Sequence, residues 1–345
     1  MPPMTRVAGY VRTSAVEEGP DLSAEAQRAR LERDIAERGW QLSHVYEDVG
    51  PDARPWRLPG LQEALEEAPN LDRLVVVRFD RVASSVQQAI RVLARLQDAG
   101  CELVCLDQGI DTGDESGRML RGLLEGLVPS NPAAAVPRAG GWTSRRIRRH
   151  QARPATVIDV GAGAGTPALY EAFPDAHHVL IEPLMEFETA LQALVAEGRA
   201  EYIATAVGAE HGETTLNVTS DLYSTSALRR TAAQAAEGIP RQVPITTLDA
   251  LLRERQWTPP FCLKIDVEGY EHAVIEGARE VFDRTELVVA EVSVSRRFEG
   301  ALNSAELIAL MGSHGFAVAD VIDAGVSSTG VHADLVFRRR EAQSS

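Results

Sequence analysis

The sequence predicts an α/β protein of two domains, each with helices laid over a mostly parallel sheet. Three observations carry that expectation. Apolar strand-like runs alternate with segments of helical spacing in both halves of the chain, the βαβ succession that covers a parallel sheet with helices. Two stretches, 157–165 (VIDVGAGAG) and 262–271 (CLKIDVEGYE), run from a buried-type strand into a glycine turn or a carboxylate cluster. Both fall where an open α/β sheet presents its ligand edge, the carboxyl ends of its strands. Charge also changes abruptly in the middle: residues 1–128 carry −7, 129–155 carry +6 and 156–345 carry −14.

Length and composition set the class. The chain has 345 residues, enough for two cores, and its 44% hydrophobic and 25% charged residues argue against disorder. No apolar run approaches the ~20 residues that span a bilayer, and the opening MPPMTR lacks the apolar stretch of a signal peptide. A cytoplasmic protein without membrane contact is expected. Cys101, Cys105 and Cys262 are odd in number and sit in apolar runs, which predicts reduced, buried thiols.

Taken in order, 7–12 reads as a strand, 23–39 as a helix, 40–46 as a strand, 73–79 (RLVVVRF) as a buried strand, 86–99 as an amphipathic helix and 101–106 as a strand. The stretch 129–155 concentrates Pro, Gly and Ala with six arginines and no acid, so it reads as a linker with a basic tract. A solvated tether and a nucleic-acid contact both fit it. In the second half 156–160 is a strand, and Gly161, Gly163 and Gly165 let the backbone turn sharply close to a ligand. The strand 179–182 ends in Glu182, 17 residues beyond Gly165, where a carboxylate can accept bonds from a ribose diol. Ala206 and Val207 end the expected third strand. The segments 315–322 and 331–338 alternate like a hairpin turning near 325–330, and 339–345 is a polar tail.

Within residues 1–128, Tyr10, Arg12 and Ser14, then Leu22 to Gln27, Asp48, Pro59 to Leu61, Phe79 with Asp80 and Arg81, and Ile110 to Thr112 before Gly117 and Arg118 resemble the catalytic domain of the serine recombinases, the resolvase/invertase family. The resemblance implies Ser14 as nucleophile on a DNA phosphodiester, with Arg12 and Arg81 gripping the phosphate beside Asp80. A hydroxyl attacking an anionic phosphate needs such cations. The chain departs from the pattern: Ser84 stands where a further arginine belongs, and Gly50, Pro51 and Asp52 replace the expected Ser-Gly. The helix starting near Gly117 meets Pro129 after about three turns, and the 27-residue linker is too short for a helix-turn-helix module. These departures predict a truncated, inactive fold that forms a homodimer or serves structurally, without specific DNA binding.

The glycine spacing differs from the dinucleotide pattern, because Thr166 stands where that pattern has its last small residue. Asp159 to Gly165 resembles instead the first motif of S-adenosylmethionine-dependent methyltransferases. Thr247 to Leu251, Leu263 to Glu271, Val274 to Ala278 and Val288 to Glu291 resemble the FkbM family of methyltransferases over about residues 156–338. The resemblance implies a class I, Rossmann-like fold with a seven-stranded, mostly parallel sheet. It further implies transfer of methyl from S-adenosyl-L-methionine to a hydroxyl of a sugar or secondary-metabolite small molecule, with the adenine near Ala206 and Val207 and a serine-rich loop, here 221–226, over the site.

Methyl transfer to a hydroxyl needs alignment and a proton acceptor. The expected cofactor residues are Asp159, Gly161, Gly163, Gly165, Glu182, Ala206 and Val207. The expected catalytic residues are Asp266, as orienting group or base, with Glu268, Lys264, Glu291 and His272 around it. For Lys264, the chain's one lysine, an ion pair and a stabiliser of developing alkoxide are both open. Glu271 could complement a helix N-terminus or act in the site. No metal site is expected, since the histidines lack ligand spacing. Two other classes compete: a DNA recombinase using Ser14, and a non-catalytic dimerisation or scaffold protein.

Overall fold

The structure is a computed structural model that describes residues 4–13, 23–49, 57–83, 86–107, 109–114, 142–198, 200–230, 238–293, 297–327 and 330–340. Ser14, Leu22, Gly50 to Asp52, Ser84, Gly117, Arg118 and the stretch 129–141 lie outside them. The chain divides into two units, 1–135 with 324–332, and 136–323 with 333–345. Among the described residues no helix is long and apolar enough to cross a membrane.

The first unit is built from β1 (Arg6–Thr13), α1 (Ala24–Glu37), β2 (Gln41–Val49), α2 (Pro59–Glu67), β3 (Arg73–Val76), α3 (Val86–Asp98), β4 (Glu102–Cys105) and β5 (Ile110–Asp111). The sheet order is β2-β1-β3-β4-β5. All pairs are parallel except β4 with β5. Ser23 starts α1 by accepting the Ala26 N–H at 3.1 Å, and Leu31 and Ile35 of that helix close over Val7, Val11 and Val75. The expected strand 73–79 is shorter than its apolar run. Phe79 to Arg81 form a 3-10 turn after it, because the charged trio Arg78, Asp80 and Arg81 pairs locally.

The second unit opens with α4 (Ser144–Arg148), then β6 (Thr156–Val160), α5 (Pro167–Ala172), β7 (His177–Ile181), α6 (Glu188–Ala196), β8 (Ala200–Ile203), β9 (Ala206–Val207), β10 (Gly212–Val218), β11 (Ile239–Thr246), α7 (Leu248–Arg255), β12 (Phe261–Ile265), α8 (Glu271–Glu276), α9 (Arg279–Asp283), β13 (Thr285–Ser293), α10 (Ser304–Ser313) and the greater part of β14 (Phe316–Ser327) and β15 (Gly330–Arg339), whose 324–327 and 330–332 ends count with the first unit. Seven strands form a mostly parallel sheet in the order β14-β15-β13-β12-β6-β7-β8. Every residue of β6 and β12 is buried, as expected of central strands covered on both faces. A separate three-stranded sheet has the order β10-β11-β9.

Two boundaries differ from the sequence reading. The third strand ends at Ile203, and Ala206 and Val207 form β9, parallel to Ile245 and Thr246 of β11 in the small sheet. Residues 142–155, read as the end of a tether, belong to the second unit. Ile147 is fully buried in its core. Arg146 makes two contacts of 3.2 Å to the Asp320 carboxylate, and the Trp142 indole donates to Asp334 at 2.7 Å. The arginines that look like a free basic tract therefore include one with a fixed acidic partner on β14. All three cysteines are buried free thiols.

Candidate active site

The site begins with the turn after β6. Gly161 has φ 72° and Gly163 φ 52°, left-handed conformations that glycine takes without steric cost. A Cβ on Gly161 would lie 1.8 Å from the carbonyl oxygen of Asp266. The close approach exists because β6 and β12 are parallel neighbours, so their carboxyl ends meet at one sheet edge. Glu182, at the end of β7, is 6% exposed and ties the turn to the next loop. It accepts the Gly163 N–H at 3.0 Å and the Leu184 N–H at 2.9 Å. Burial raises its pKa against those two bonds. A carboxylate has about four acceptor positions, so two remain.

A cleft of about 740 Å³ opens above this edge. Leu184, Phe187, Val207 and Ile245 form an apolar wall, with Ala206 beside them, and Asp266, Glu268 and Tyr270 line another part of it. The loop 221–226 contributes Leu222, Tyr223 and Thr225. The Tyr223 ring rests on Phe187, centroids 5.1 Å apart, and covers Gly163 so closely that a Cβ there would meet it at 2.8 Å. Gly165 is not among the lining residues; it packs against Leu194 and Tyr170.

Lys264 and Asp159 lie below the cleft floor. Asp159 is fully buried and Lys264 is 5% exposed. The Lys264 ammonium sits 3.1 Å from Asp159, 3.4 Å from Asp266 and donates to the Gly161 carbonyl at 3.0 Å. Burial opposes its charge, but the two carboxylates outweigh that and hold its pKa above the usual lysine range. Asp159 also accepts the Tyr170 hydroxyl at 2.5 Å. The Lys264 and Asp159 side chains thus hold the glycine turn and Asp266 in place and do not face the cleft.

Beyond Asp266 the acids separate. Glu268 has φ 51°, lines the cleft and pairs with Arg297 at 2.7 Å. Its carbonyl accepts the Ser226 hydroxyl at 2.6 Å, which fastens the 221–226 loop to this segment. Glu291 stands 3.6 Å from Arg297 in a smaller pocket with Phe298 and Leu307, apart from the main cleft. Burial and then Asp266 push its pKa well above the ordinary range. Glu271 is buried and accepts the Gly269 N–H at 3.0 Å, so it latches the loop at the start of α8. Burial raises it to about 7. His272 is absent from the cleft lining and packs edge-on to Tyr270, centroids 5.7 Å apart. Arg297 carried no signal in the sequence, since its partner lies 29 residues away on no shared motif.

In the first unit Arg12 and Arg81 are buried and close together. Arg81 donates to the Arg12 carbonyl at 2.9 Å and to both Asp80 oxygens at 3.0 and 2.9 Å. Arg12 donates to the Asp80 carbonyl at 2.9 Å. Burial opposes ionisation of Asp80, but hydrogen bonds from Arg81 and Arg78 outweigh it and hold the carboxyl below its usual range.

Comparison with known proteins follows the same division. Residues 7–129 match the family described as resolvase, N terminal domain, and residues 159–318 the family described as methyltransferase FkbM domain. A DNA-invertase of Escherichia phage P1 is 30% identical over 188 residues, 48% of this chain and 95% of that protein. The DNA-invertase hin of Salmonella typhimurium is 26% identical over 188 residues, 48% of this chain and 93% of the invertase. A crystal structure of methyltransferase FkbM from Methylobacillus flagellatus KT is 12% identical with TM-score 0.41, covering 97% of this chain and 90% of that one. The chain belongs to the resolvase family of serine recombinases through its N-terminal part, and its C-terminal part matches the methyltransferase FkbM domain over residues 159–318.

Proposed function

We propose that the cleft holds S-adenosyl-L-methionine and that the C-terminal unit transfers a methyl group to a hydroxyl oxygen of a small polar acceptor, a sugar or secondary metabolite. One observation carries this reading: a buried acid beside the glycine turn and a partly exposed acid at the end of the neighbouring strand open onto one apolar-walled cleft. Glu182 keeps acceptor positions for a ribose diol, and Leu184, Phe187, Val207 and Ile245 suit a flat heteroaromatic ring. Bound there, the sulfonium supplies an electrophilic methyl group for in-line displacement.

The protein's part is alignment and proton management. The Asp266 side chain is 38% exposed and can accept the acceptor's hydroxyl proton on a carboxylate oxygen. Lys264 below fixes that carboxylate. Glu268, its charge balanced by Arg297, is suited to orienting a second polar group of the acceptor. Calorimetric titration of the full chain with S-adenosylmethionine and S-adenosylhomocysteine tests the reading. Both bind, and Glu182→Ala weakens each about tenfold or more, the scale of lost charge-assisted hydrogen bonds. No binding by the wild type leaves a non-catalytic scaffold.

The N-terminal unit we read as a dimer-forming recombinase fold that no longer cleaves DNA. The Arg81 guanidinium is spent on Asp80 and the Arg12 carbonyl, which supports that reading. Incubating the full chain with supercoiled DNA should give no covalent adduct, and sedimentation should report a dimer. An adduct that Ser14→Ala abolishes would restore the recombinase.

A further inference from the structure

The loop that covers the cleft ends in a cation that, among the described residues, no acid contacts directly. Arg230 closes the segment after β10 and is half-buried. Its backbone is pinned to Phe298 by a β-bridge, and the Arg229 carbonyl accepts the Glu299 N–H at 2.7 Å. Its guanidinium lies 4.9 Å above the Phe298 ring and donates one hydrogen bond of 3.0 Å, to the Ser224 carbonyl. Arg297 approaches the same ring at 5.5 Å. The two cations are not equivalent, because Glu268 at 2.7 Å neutralises Arg297. Among the described residues no carboxylate stands within the 4.0 Å of an ion pair to Arg230.

A half-buried cation without a carboxylate in direct contact is held at a cost. Burial lowers the Arg230 pKa, attraction to Glu268 and Asp221 at longer range only partly offsets this, and Arg297 adds repulsion. A guanidinium has five N–H donors in a planar fork that matches carboxylates and phosphates, and most of these are uncommitted here. Ser224 sits between Tyr223 and Thr225, both lining the cleft, and Ser226 of the same loop holds Glu268 at the cleft's acidic part. The fork is therefore anchored on the loop that covers the cleft, beside its acidic part.

We propose that the acceptor carries an anionic group, a carboxylate or a phosphate, which docks on Arg230 while its hydroxyl is presented to Asp266. This rests on the methyltransferase reading above and narrows its substrate class to hydroxylated acids.

The test uses the full chain saturated with S-adenosylhomocysteine, titrated with glucuronate, glucose 6-phosphate and glucose, with binding read from protein NMR shifts. One or both anionic sugars bind and glucose binds at least about tenfold more weakly, the scale of a charge-assisted fork. Which of the two binds tighter separates carboxylate from phosphate. Arg230→Met removes the preference, and Arg230→Lys, which keeps the charge but loses the fork, restores part of it. Glucose binding as well as both anionic sugars, no binding by either anionic sugar, or an unchanged preference in Arg230→Met overturns the proposal. The preceding titration keeps the two readings apart: failure to bind S-adenosylhomocysteine sinks the methyltransferase, whereas normal binding of it with no anion preference sinks only the anionic acceptor.

Discussion

Gly161 shows how one missing side chain sets up the site. At φ 72° and with the Asp266 carbonyl 1.8 Å from where its Cβ would stand, the position excludes every other residue. Gly161→Ala must push the ends of β6 and β12 apart, breaking the contact that brings the turn and Asp266 together. Strain and displaced packing of this kind cost about 3 kcal/mol or more. Thermal unfolding of the variant should fall by several degrees, and S-adenosylhomocysteine binding should be lost. A variant with wild-type melting and affinity would contradict the geometry. Lys264 complements this from below, where its charge is matched by Asp159 and Asp266. The same pattern that marks a catalytic lysine in sequence also marks a structural one, and the burial distinguishes them.

Among the elements, α2 explains several matched positions in the first unit without invoking catalysis. The helix lacks a side-chain cap from its own preceding residue, and Asp48 at the end of β2 supplies one. Its carboxylate accepts the Gly60 N–H at 3.0 Å, the Leu61 N–H at 2.9 Å and the buried Tyr10 hydroxyl at 2.9 Å. Gly60 is required because a Cβ there would stand 2.6 Å from the Glu47 carbonyl. Asp48→Ala orphans two helix N–H groups and a buried hydroxyl, which should destabilise this unit by about 2–3 kcal/mol. Denaturant unfolding with a probe in the first unit checks it, and Asp48→Asn should recover part of the loss. Strands and helices with strong periodicity, such as β1, α1, β6 and β12, were legible in the sequence to within a few residues. The helix α2 and the sheet of β9, β10 and β11 were not, since short elements with mixed composition gain their stability from neighbours distant in sequence.

Over the whole molecule, buried acids set a pH response. Burial raises Glu271 to about 7 from 4.5, and partial burial together with repulsion from Asp266 raises Asp334 to about 7 from 3.8. In the folded chain these carboxyls hold their protons more tightly than in the unfolded chain. Raising the pH from about 4.5 to about 7 therefore deprotonates the unfolded state first and favours it, at up to about 1.4 kcal/mol per pH unit for each group. These two groups should therefore favour the folded second unit most below about pH 4.5, weaken it up to about pH 7 and leave it level above that. Chemical denaturation at pH 5, 6, 7 and 8 measures this. Glu271→Gln, which keeps the oxygen that accepts the Gly269 N–H, should flatten the curve, and an identical slope in the variant would contradict the assignment.

The sequence by itself determined two parallel-sheet units, the glycine turn, the acids at the strand ends and the two family resemblances. Each rests on neighbours a few residues apart or on ordered motifs, which a linear reading can see. Only the tertiary structure decided what each acid does. It put Asp159 under the floor with Lys264, turned Glu271 onto its own loop, set Glu291 in a separate pocket and left Asp266, Glu268 and Glu182 facing the cleft. A carboxylate's role depends on its burial and on the cation or N–H it meets, and for Asp159 and Glu268 that cation comes from another strand or loop.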